Sequence, residues 1–251
     1  MSKTVRIVVM IVAAVVFIVS GSRLVWHYYQ MYAGESSYEE IRQEVIIEVP
    51  EEAATPAFST LSINFDVLNN INKDIIAWLY LPGTPVSYPI LYGKDNQAYL
   101  RTTYDKKYNV LGSIFEDYRN DPDFQDKHTV IYGHNTSNDS MFGSLKKYKD
   151  QDYASAHKEI HILRKDETLV YEIFSVYETL ATSDTYVIGF SSEESYADYL
   201  KAMAAKSVVR LGEPPESGQI ITLSTCTGGD KTMRLVLQAK FIESHPVAPQ
   251  V

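Results

Sequence analysis

The feature that most limits the fold is a series of short β-branched and aromatic segments separated by turn residues, which begins at Ala77. Segments of this kind, bounded by glycine, proline, asparagine or aspartate, are typical of β-strands. About eight strands are enough to close a small barrel. We therefore predict a mainly β fold built on a closed eight-stranded barrel. The predicted strands are residues 77–81, 86–92, 111–117, 128–132, 159–164, 168–180, 218–225 and 234–242.

Helical patterns precede and interrupt this series. Residues 35–48 are charged with apolar positions at helical spacing, and a second helix begins at Asn64 or Asp66. The apolar stripe of that second helix, Phe65, Leu68, Ile71 and Ile75, is expected to pack into the core. Residues 141–148 are predicted to form a short helix. Residues 192–205 are predicted to form a longer one, inserted between two late strands and capped by Ser191 or Ser192.

The N-terminus predicts an uncleaved membrane anchor. Residues 7–20 carry no charge and follow Lys3 and Arg6, but they are short for a span, which needs ~20 apolar residues. Residues 24–29 extend the run if Arg23 reaches the membrane surface and the aromatic side chains lie at the interface. A cleaved signal peptide is the alternative, but no convincing small-x-small cleavage site follows. We expect the N-terminus inside the cell and the rest outside.

Composition excludes several classes of protein. A net charge of -9 argues against nucleic-acid binding, which requires a basic face. The single cysteine excludes an internal disulfide, and no ligand cluster has a zinc-like spacing, so we predict neither metal nor cofactor. The chain divides into an anchor and flank (1–30), a helix and linker (31–60, with the linker at 49–56), one large domain (61–245) and a tail (246–251).

The stretch 220–240 reads as strand, loop, strand and contains the one cysteine. Cys226 ends the first strand and precedes Thr-Gly-Gly, so it is either a small buried apolar residue or a reactive thiol near the surface. An exposed free thiol outside the cell is prone to oxidation unless it has a use. On the second strand Arg234, Val236 and Gln238 share one face, because side chains alternate along a strand. The other face carries Leu235, Leu237 and Ala239.

A cysteine nucleophile needs a base or an ion-pair partner. Of the six histidines, His134 comes directly after a predicted strand and Gly133. It is therefore expected at the end of a strand, like Cys226. Arg234 is either a surface ion-pair residue or a donor to an oxyanion. Cysteine, histidine and arginine at three strand ends suit acyl transfer. The other histidines are interpreted as a membrane-flank residue (His27), a tail residue (His245), surface residues (His157, His161) and a solvated residue (His128).

Several separated motifs resemble the sortase family. The sortase signature resembles the segment TLSTC at 222–226, which is followed by Arg234 eight residues after the cysteine. The histidine segment of the family resembles YGHN at 132–135. Class B sortases in particular are similar in four further segments, which lie within residues 71–84, 88–100, 109–120 and 130–145. They are also similar in having two helices before the barrel and one helix inserted between late strands. The resemblance covers about residues 60–242.

The resemblance implies a membrane-anchored cysteine transpeptidase with its catalytic domain on the extracellular face. Such enzymes cut the sorting signal of a surface protein after threonine and join the new carboxyl to an amine of peptidoglycan or its lipid-linked precursor. It makes Cys226 the nucleophile, His134 the general acid/base and Arg234 the oxyanion donor. It also implies a substrate groove formed by Asn96, Leu100, Thr182, Tyr186 and Ser224.

One position departs from the class pattern, and three alternatives stay open. Some class B enzymes carry an acidic residue where this chain has Thr227; Asp230 is a candidate substitute. The alternatives are a pilin-polymerising sortase, a cysteine hydrolase that trims peptidoglycan, and a non-catalytic surface binding module. Against the first, Asp121-Pro122 lies inside the barrel region rather than before it, and the C-terminal tail cannot span a bilayer.

Overall fold

The computed structural model describes residues 2–48, 61–226, 230 and 232–247. Within these residues eight strands, β3 to β10, form a closed barrel in the order β10-β8-β7-β3-β4-β5-β6-β9. Neighbouring strands are antiparallel except for the pairs β4–β5 and β6–β9. The prediction of a mainly β fold with a closed eight-stranded barrel is confirmed.

The barrel strands lie close to the predicted segments, and β6 has the predicted bounds. They are β3 (Ile75–Tyr80), β4 (Ser87–Tyr92), β5 (Ile114–Glu116), β6 (His128–Tyr132), β7 (Glu159–Leu163), β8 (Glu167–Leu180), β9 (Ile220–Cys226) and β10 (Met233–Pro246). Two further strands, β1 (Ile46–Glu48) and β2 (Leu61–Ile63), pair outside the barrel and were not predicted.

The helices lie near the predicted positions, but their lengths differ from the predicted ones. They are α1 (Lys3–Val45), α2 (Phe65–Ile71), α3 (Gln151–Ala156) and α4 (Glu193–Ala205), with 3-10 turns at Gly143–Lys149 and Asp184–Tyr186. Asn64 and Ser192 cap α2 and α4 as expected, whereas α3 was not predicted. The α2 stripe is shorter than predicted: the helix ends at Ile71, which is partly exposed, and Ile75 begins β3.

Two apolar clusters occupy opposite faces of the barrel wall. Leu235, Leu237 and Ala239 of β10 belong to the main core inside the barrel. Val236 faces the outer side, where Tyr196 and Leu200 of α4 cover it. The predicted alternation of β10 is therefore confirmed, and α4 covers the outer surface of β6, β8, β9 and β10.

Helix α1 runs without a break from Lys3 through the predicted boundary at residues 30 and 31 to Val45. Its first part is exposed on all sides and apolar, and by length and composition α1 is the one helix of the described chain fit to cross a membrane. From residue 30 onward one side is buried against the barrel domain. The buried positions are Gln30, Gly34, Tyr38, Ile41 and Val45, spaced three or four apart. The predicted linker 49–56 lies outside the described residues.

Two histidines interpreted as surface residues are buried, and those interpretations are wrong. His128 has no exposed surface: its Nδ1 donates to the Val187 carbonyl at 2.6 Å, and its Nε2 accepts from the Thr222 hydroxyl at 2.7 Å. Burial lowers the pKa of His128 to about 4, so the ring is neutral. His161 is also buried, and burial lowers its pKa.

Candidate active site

The register of three adjacent strands brings the predicted catalytic positions to one end of the barrel. In the parallel pair β6–β9, Tyr132 lies opposite Ser224, so His134 and Cys226 each follow two residues beyond this pair. The Gly133 N–H donates to the Ser224 carbonyl at 3.2 Å, which continues the pairing toward His134. In the antiparallel pair β9–β10, Cys226 is the register partner of Arg234. Because neighbouring strands lie about 4.8 Å apart, the three positions form a compact set.

Strand alternation assigns Arg234 to the outer face of the barrel. Ile221 and Leu223 belong to the interior core, whereas Ile220 packs beneath α4. Ser224 therefore lies on the outer face of β9, and Arg234 shares the outer face of β10 with Val236. The candidate site lies beyond the edge of the surface that α4 covers.

His134 is half-buried and has a defined hydrogen bond on one ring nitrogen. Its Nε2 lies 2.6 Å from the Leu100 carbonyl oxygen, and because a carbonyl only accepts, Nε2–H is the donor. In the neutral ring Nδ1 then carries the lone pair and is the nitrogen that can take up a proton. The preceding Gly133 is needed for packing, since a Cβ there would lie 2.5 Å from Ile114 and 2.6 Å from Phe142.

Arg234 is half-buried at the start of β10, and its Nη1 donates to the Met233 carbonyl at 2.9 Å. Asp230, the candidate substitute for the missing acid, is exposed, and its carboxylate accepts from the Thr232 backbone N–H at 2.8 Å and hydroxyl at 2.7 Å. Those bonds, the one from the hydroxyl first, lower the pKa of Asp230, so it is ionised at neutral pH. Thr227 lies outside the described residues.

An aromatic wall borders the site on the side of β6 and β9. The Tyr186 hydroxyl lies 2.9 Å from the Ser224 hydroxyl, and the Tyr186 and Tyr132 rings stack with centroids 6.2 Å apart. Ser224 itself is buried beneath Tyr186. Tyr132 was not among the predicted groove residues, although it stands in the YGHN segment two residues before His134 and ends β6.

Tyr132 rests on a buried carboxylate, paired with an exposed arginine, that the sequence did not indicate. Its hydroxyl donates to Asp117 Oδ2 at 3.0 Å, and the fully buried Asp117 carboxylate pairs with Arg119 at 2.7 Å. Burial raises the pKa of Asp117, but the hydrogen bonds and charge of Arg119 together with the hydrogen bond from Tyr132 outweigh it and hold the pKa below its usual range. The aromatic wall is thus fixed from below by an ionised carboxylate.

The remaining predicted groove residues lie in turns at both sides of this wall. Asn96 Oδ1 accepts from the Tyr118 N–H at 3.1 Å, and Leu100 supplies the carbonyl bound by His134. Thr182 is exposed in the turn after β8, next to Ala181, whose N–H donates to the Thr232 carbonyl at 2.8 Å. Among the described residues no group of three or more histidine, cysteine, aspartate or glutamate side chains could hold a metal ion.

Comparison with known proteins decides the family. The family model described as Sortase domain matches residues 79–242. The chain is also 37% identical over 220 residues to the sortase B of Listeria monocytogenes, an alignment that covers 83% of this chain and 89% of that protein. The chain belongs to the sortase family.

Solved sortase structures extend this likeness to the fold. The Bacillus anthracis sortase B structure superposes with a TM-score of 0.72 at 32% identity, over 86% of this chain and 99% of the other. A Staphylococcus aureus sortase B–substrate complex superposes with a TM-score of 0.67 at 34% identity, over 71% and 84% of the two chains. The chain is therefore a class B sortase, a cysteine transpeptidase that acts on sorting signals at the cell surface. This membership favours an enzyme over a non-catalytic binding module.

Proposed function

We propose that this sortase is anchored by α1 and cleaves a sorting signal after threonine, with Cys226 as nucleophile, His134 as general acid/base and Arg234 as oxyanion donor. The observation that carries the proposal is the register of β6, β9 and β10. It sets the one cysteine of the chain opposite Arg234 and level with His134. A thiol, an imidazole and a guanidinium at one strand end supply the groups that acyl transfer needs.

The first half-reaction transfers the acyl group to the enzyme. The Cys226 thiolate attacks the threonine carbonyl, a carbon–sulfur bond forms, and the carbonyl oxygen becomes an oxyanion that accepts hydrogen bonds from Arg234. The tetrahedral intermediate collapses by breaking the carbon–nitrogen bond. The departing amine takes a proton from His134 Nδ1, because Nε2–H remains bound to the Leu100 carbonyl. The products are a thioester on Cys226 and the released C-terminal peptide.

The second half-reaction returns the enzyme to its starting state. An acceptor amine of peptidoglycan or its lipid-linked precursor gives a proton to His134 Nδ1 and attacks the thioester carbonyl. Arg234 again donates to the oxyanion, and the Cys226 thiolate leaves as the new amide bond forms. No metal or other cofactor takes part in either half-reaction.

The sorting signal is proposed to lie along the aromatic wall of Tyr132 and Tyr186. Asn96 and Leu100 line one side of this groove and Thr182 the other. The Leu100 carbonyl is occupied by His134, which leaves the Leu100 side chain to contact substrate. Ser224 contributes indirectly, because its hydroxyl is bonded to the Tyr186 hydroxyl beneath the groove.

The location of the enzyme follows from α1. Its exposed apolar part spans the membrane once, with Lys3 and Arg6 on the cytoplasmic side and the barrel on the extracellular face. Trp26, Tyr28 and Tyr29, all exposed, lie at the outer interface. The partners are surface proteins that carry sorting signals and the amine of the cell wall.

The experiment is cleavage of a library of fluorogenic sorting peptides by the full chain in detergent, with and without a short peptide amine. We expect one peptide class to be cleaved after threonine, ligated product with the amine present, and no turnover by Cys226→Ala. Asp230→Asn is a separate variant, and a fall in its turnover would show that this carboxylate assists His134. Full turnover by folded Cys226→Ala would refute the assignment. If the peptide is only hydrolysed and no added amine yields ligated product, the peptidoglycan-trimming hydrolase is favoured. If the peptide is ligated selectively to a lysine of a protein, the pilin-polymerising sortase is favoured.

A further inference from the structure

We infer that Tyr38 of α1 is a positioning residue for the catalytic histidine, acting through the backbone carbonyl that holds His134. The inference rests on the proposed role of His134. It assigns to the membrane-proximal helix a part in catalysis beyond attachment. The evidence is a continuous series of contacts from the Tyr38 hydroxyl to His134 Nε2.

The first contact joins α1 to the turn before β5. Tyr38 is buried, and its hydroxyl donates to the Gly112 carbonyl at 2.6 Å and lies 3.1 Å from the Ser113 hydroxyl. Gly112 has φ = 55°, a left-handed conformation that favours glycine. The phenol hydroxyl thus holds the Gly112 carbonyl by a hydrogen bond and packs against the hydroxyl of the next residue, Ser113.

The second contact joins that turn to Leu100. A Cβ on Gly112 would lie 2.5 Å from the Leu100 carbonyl oxygen, so this carbonyl packs directly against the glycine backbone. Ser113 fixes the residues on either side of Leu100, because its N–H donates to the Tyr99 carbonyl at 3.0 Å and its hydroxyl donates to the Thr102 carbonyl at 2.7 Å. The Leu100 carbonyl therefore packs against Gly112, in a segment that Ser113 holds at Tyr99 and Thr102.

The third contact is the bond that orients the catalytic ring. The Leu100 carbonyl accepts from His134 Nε2–H at 2.6 Å, which selects the ring nitrogen available for proton transfer. A ring that loses this acceptor can rotate or change tautomer, and Nδ1 then no longer faces the reacting amine. A displacement of about 1 Å in a reacting group can cost on the order of a hundredfold in rate.

The aromatic ring of Tyr38 supports the histidine segment by a separate route. It meets the Tyr88 ring edge-on with centroids 5.4 Å apart, and the Tyr88 hydroxyl accepts from the Met141 N–H at 2.9 Å. The next residue, Phe142, donates its N–H to the His134 carbonyl at 3.0 Å. Tyr38→Phe keeps this ring contact and removes only the hydroxyl, so it separates the contacts of the hydroxyl from those of the ring.

Tyr104→Phe is the matched control. Tyr104 is a buried tyrosine in the same interface, its ring packs on Tyr38 with centroids 5.2 Å apart, and its hydroxyl donates to the Ser37 carbonyl at 3.0 Å. Tyr104→Phe removes one partly buried hydroxyl between α1 and the domain, and that hydroxyl bonds Ser37 rather than the turn at Gly112. A purely structural role for the hydroxyls predicts the same result for both variants.

The experiment compares the full-length wild type, Tyr38→Phe and Tyr104→Phe in detergent, with the library peptide that wild type cleaves fastest. We expect kcat to fall about tenfold in Tyr38→Phe with KM unchanged, and Tyr104→Phe to stay within about twofold of wild type, because only the first loosens the ring that transfers the proton. Equal kcat values for the two variants would overturn the inference. If Tyr38→Phe does not fold, Ser113→Ala, which removes the second support of the turn, takes its place with the same criterion.

A second readout needs no substrate and so separates this inference from the proposed function. Histidine labelled with 15N gives ring signals for six residues, and His134 is assigned by the signal lost in His134→Gln. We expect its Nε2–H signal to move upfield or exchange away in Tyr38→Phe and to persist in Tyr104→Phe. An unchanged signal in Tyr38→Phe contradicts the inference, whether or not any peptide is cleaved.

Discussion

A buried carboxyl group in β5 leads to a specific prediction about pH and stability. Glu116 has no exposed surface, and neither of its carboxyl oxygens has a hydrogen-bond partner among the described residues. Burial, reinforced by the negative charges of Asp126, Asp121 and Asp117, raises its pKa to about 9. The native protein therefore keeps this carboxyl protonated at neutral pH, whereas the unfolded chain releases the proton near pH 4.5.

The sign of the effect follows from proton binding. Between about pH 4.5 and 9 the folded state binds one more proton than the unfolded state at this residue, so stability falls as pH rises. The slope is about 1.4 kcal/mol per pH unit for one proton. His128 acts in the opposite direction, because its lowered pKa of about 4 makes stability rise with pH, but only up to its unfolded value of 6.5. Above pH 6.5 the Glu116 contribution is therefore the larger of the two, about 3 kcal/mol by pH 9.

Glu116→Gln isolates this contribution, because the amide has nearly the same shape and no titration. The assay is urea unfolding of residues 29–251, where Trp78, fully buried, is the one remaining tryptophan and reports on the core by fluorescence. We expect the stability of wild type relative to Glu116→Gln to decline by about 3 kcal/mol from pH 6.5 to 9. A difference that stays constant across this range would show that the carboxyl is already ionised in the native protein, and would refute the reasoning.

Three further predictions concern α1, metals and Arg234. Removal of residues 1–28 should leave a folded, active domain by circular dichroism and peptide cleavage. Removal of residues 1–44 should lower the free energy of unfolding by several kcal/mol. Each large core side chain that is lost, such as Tyr38 or Ile41, accounts for about 2–5 kcal/mol of this loss. Dialysis against EDTA should leave turnover unchanged; loss restored by calcium would contradict this. Arg234→Lys should lower kcat/KM by about 10²–10³, because lysine lacks the planar fork, with alkylation of Cys226 retained; a value within about threefold of wild type excludes the bidentate oxyanion role.

The strand pattern and the strand-end placement of the candidate site residues could be predicted because both depend on local chemistry. Alternation with a period of two fixes which side of β10 faces the core, and this sorting needs no knowledge of other strands. Cys226 and His134 were each predicted at a strand end, Cys226 from the Thr-Gly-Gly that follows it and His134 from the Gly133 that precedes it. Their proximity additionally required β6 and β9 to be neighbours, and the resemblance to sortases supplied that long-range information.

Burial of the histidines could not be predicted, because it depends on segments distant in sequence. His128 follows charged residues and looks solvated in sequence, yet Val187 and Thr222, 59 and 94 residues away, bond both of its ring nitrogens. The Asp117–Arg119 pair beneath Tyr132 has the same origin: adjacent polar residues look exposed until a barrel closes around one of them. Local polarity therefore predicts a polar environment, but it does not predict whether water or protein provides it.

Helix α1 was divided at residue 30 because an apolar run gives way there to a polar stretch. The structure keeps one helix through this change, since the burial that supports it comes from the barrel domain rather than from its own pattern. Asn109 donates to the Gln30 carbonyl at 2.8 Å, and at Gly34 its side chain approaches so closely that a Cβ would lie 2.6 Å away. Nine residues separate Tyr29, at the proposed membrane interface, from Tyr38, a distance of about 14 Å along a helix. A rigid helix of that length leaves no flexible tether between the proposed anchor and the site, so attachment to the membrane and support of His134 share one element.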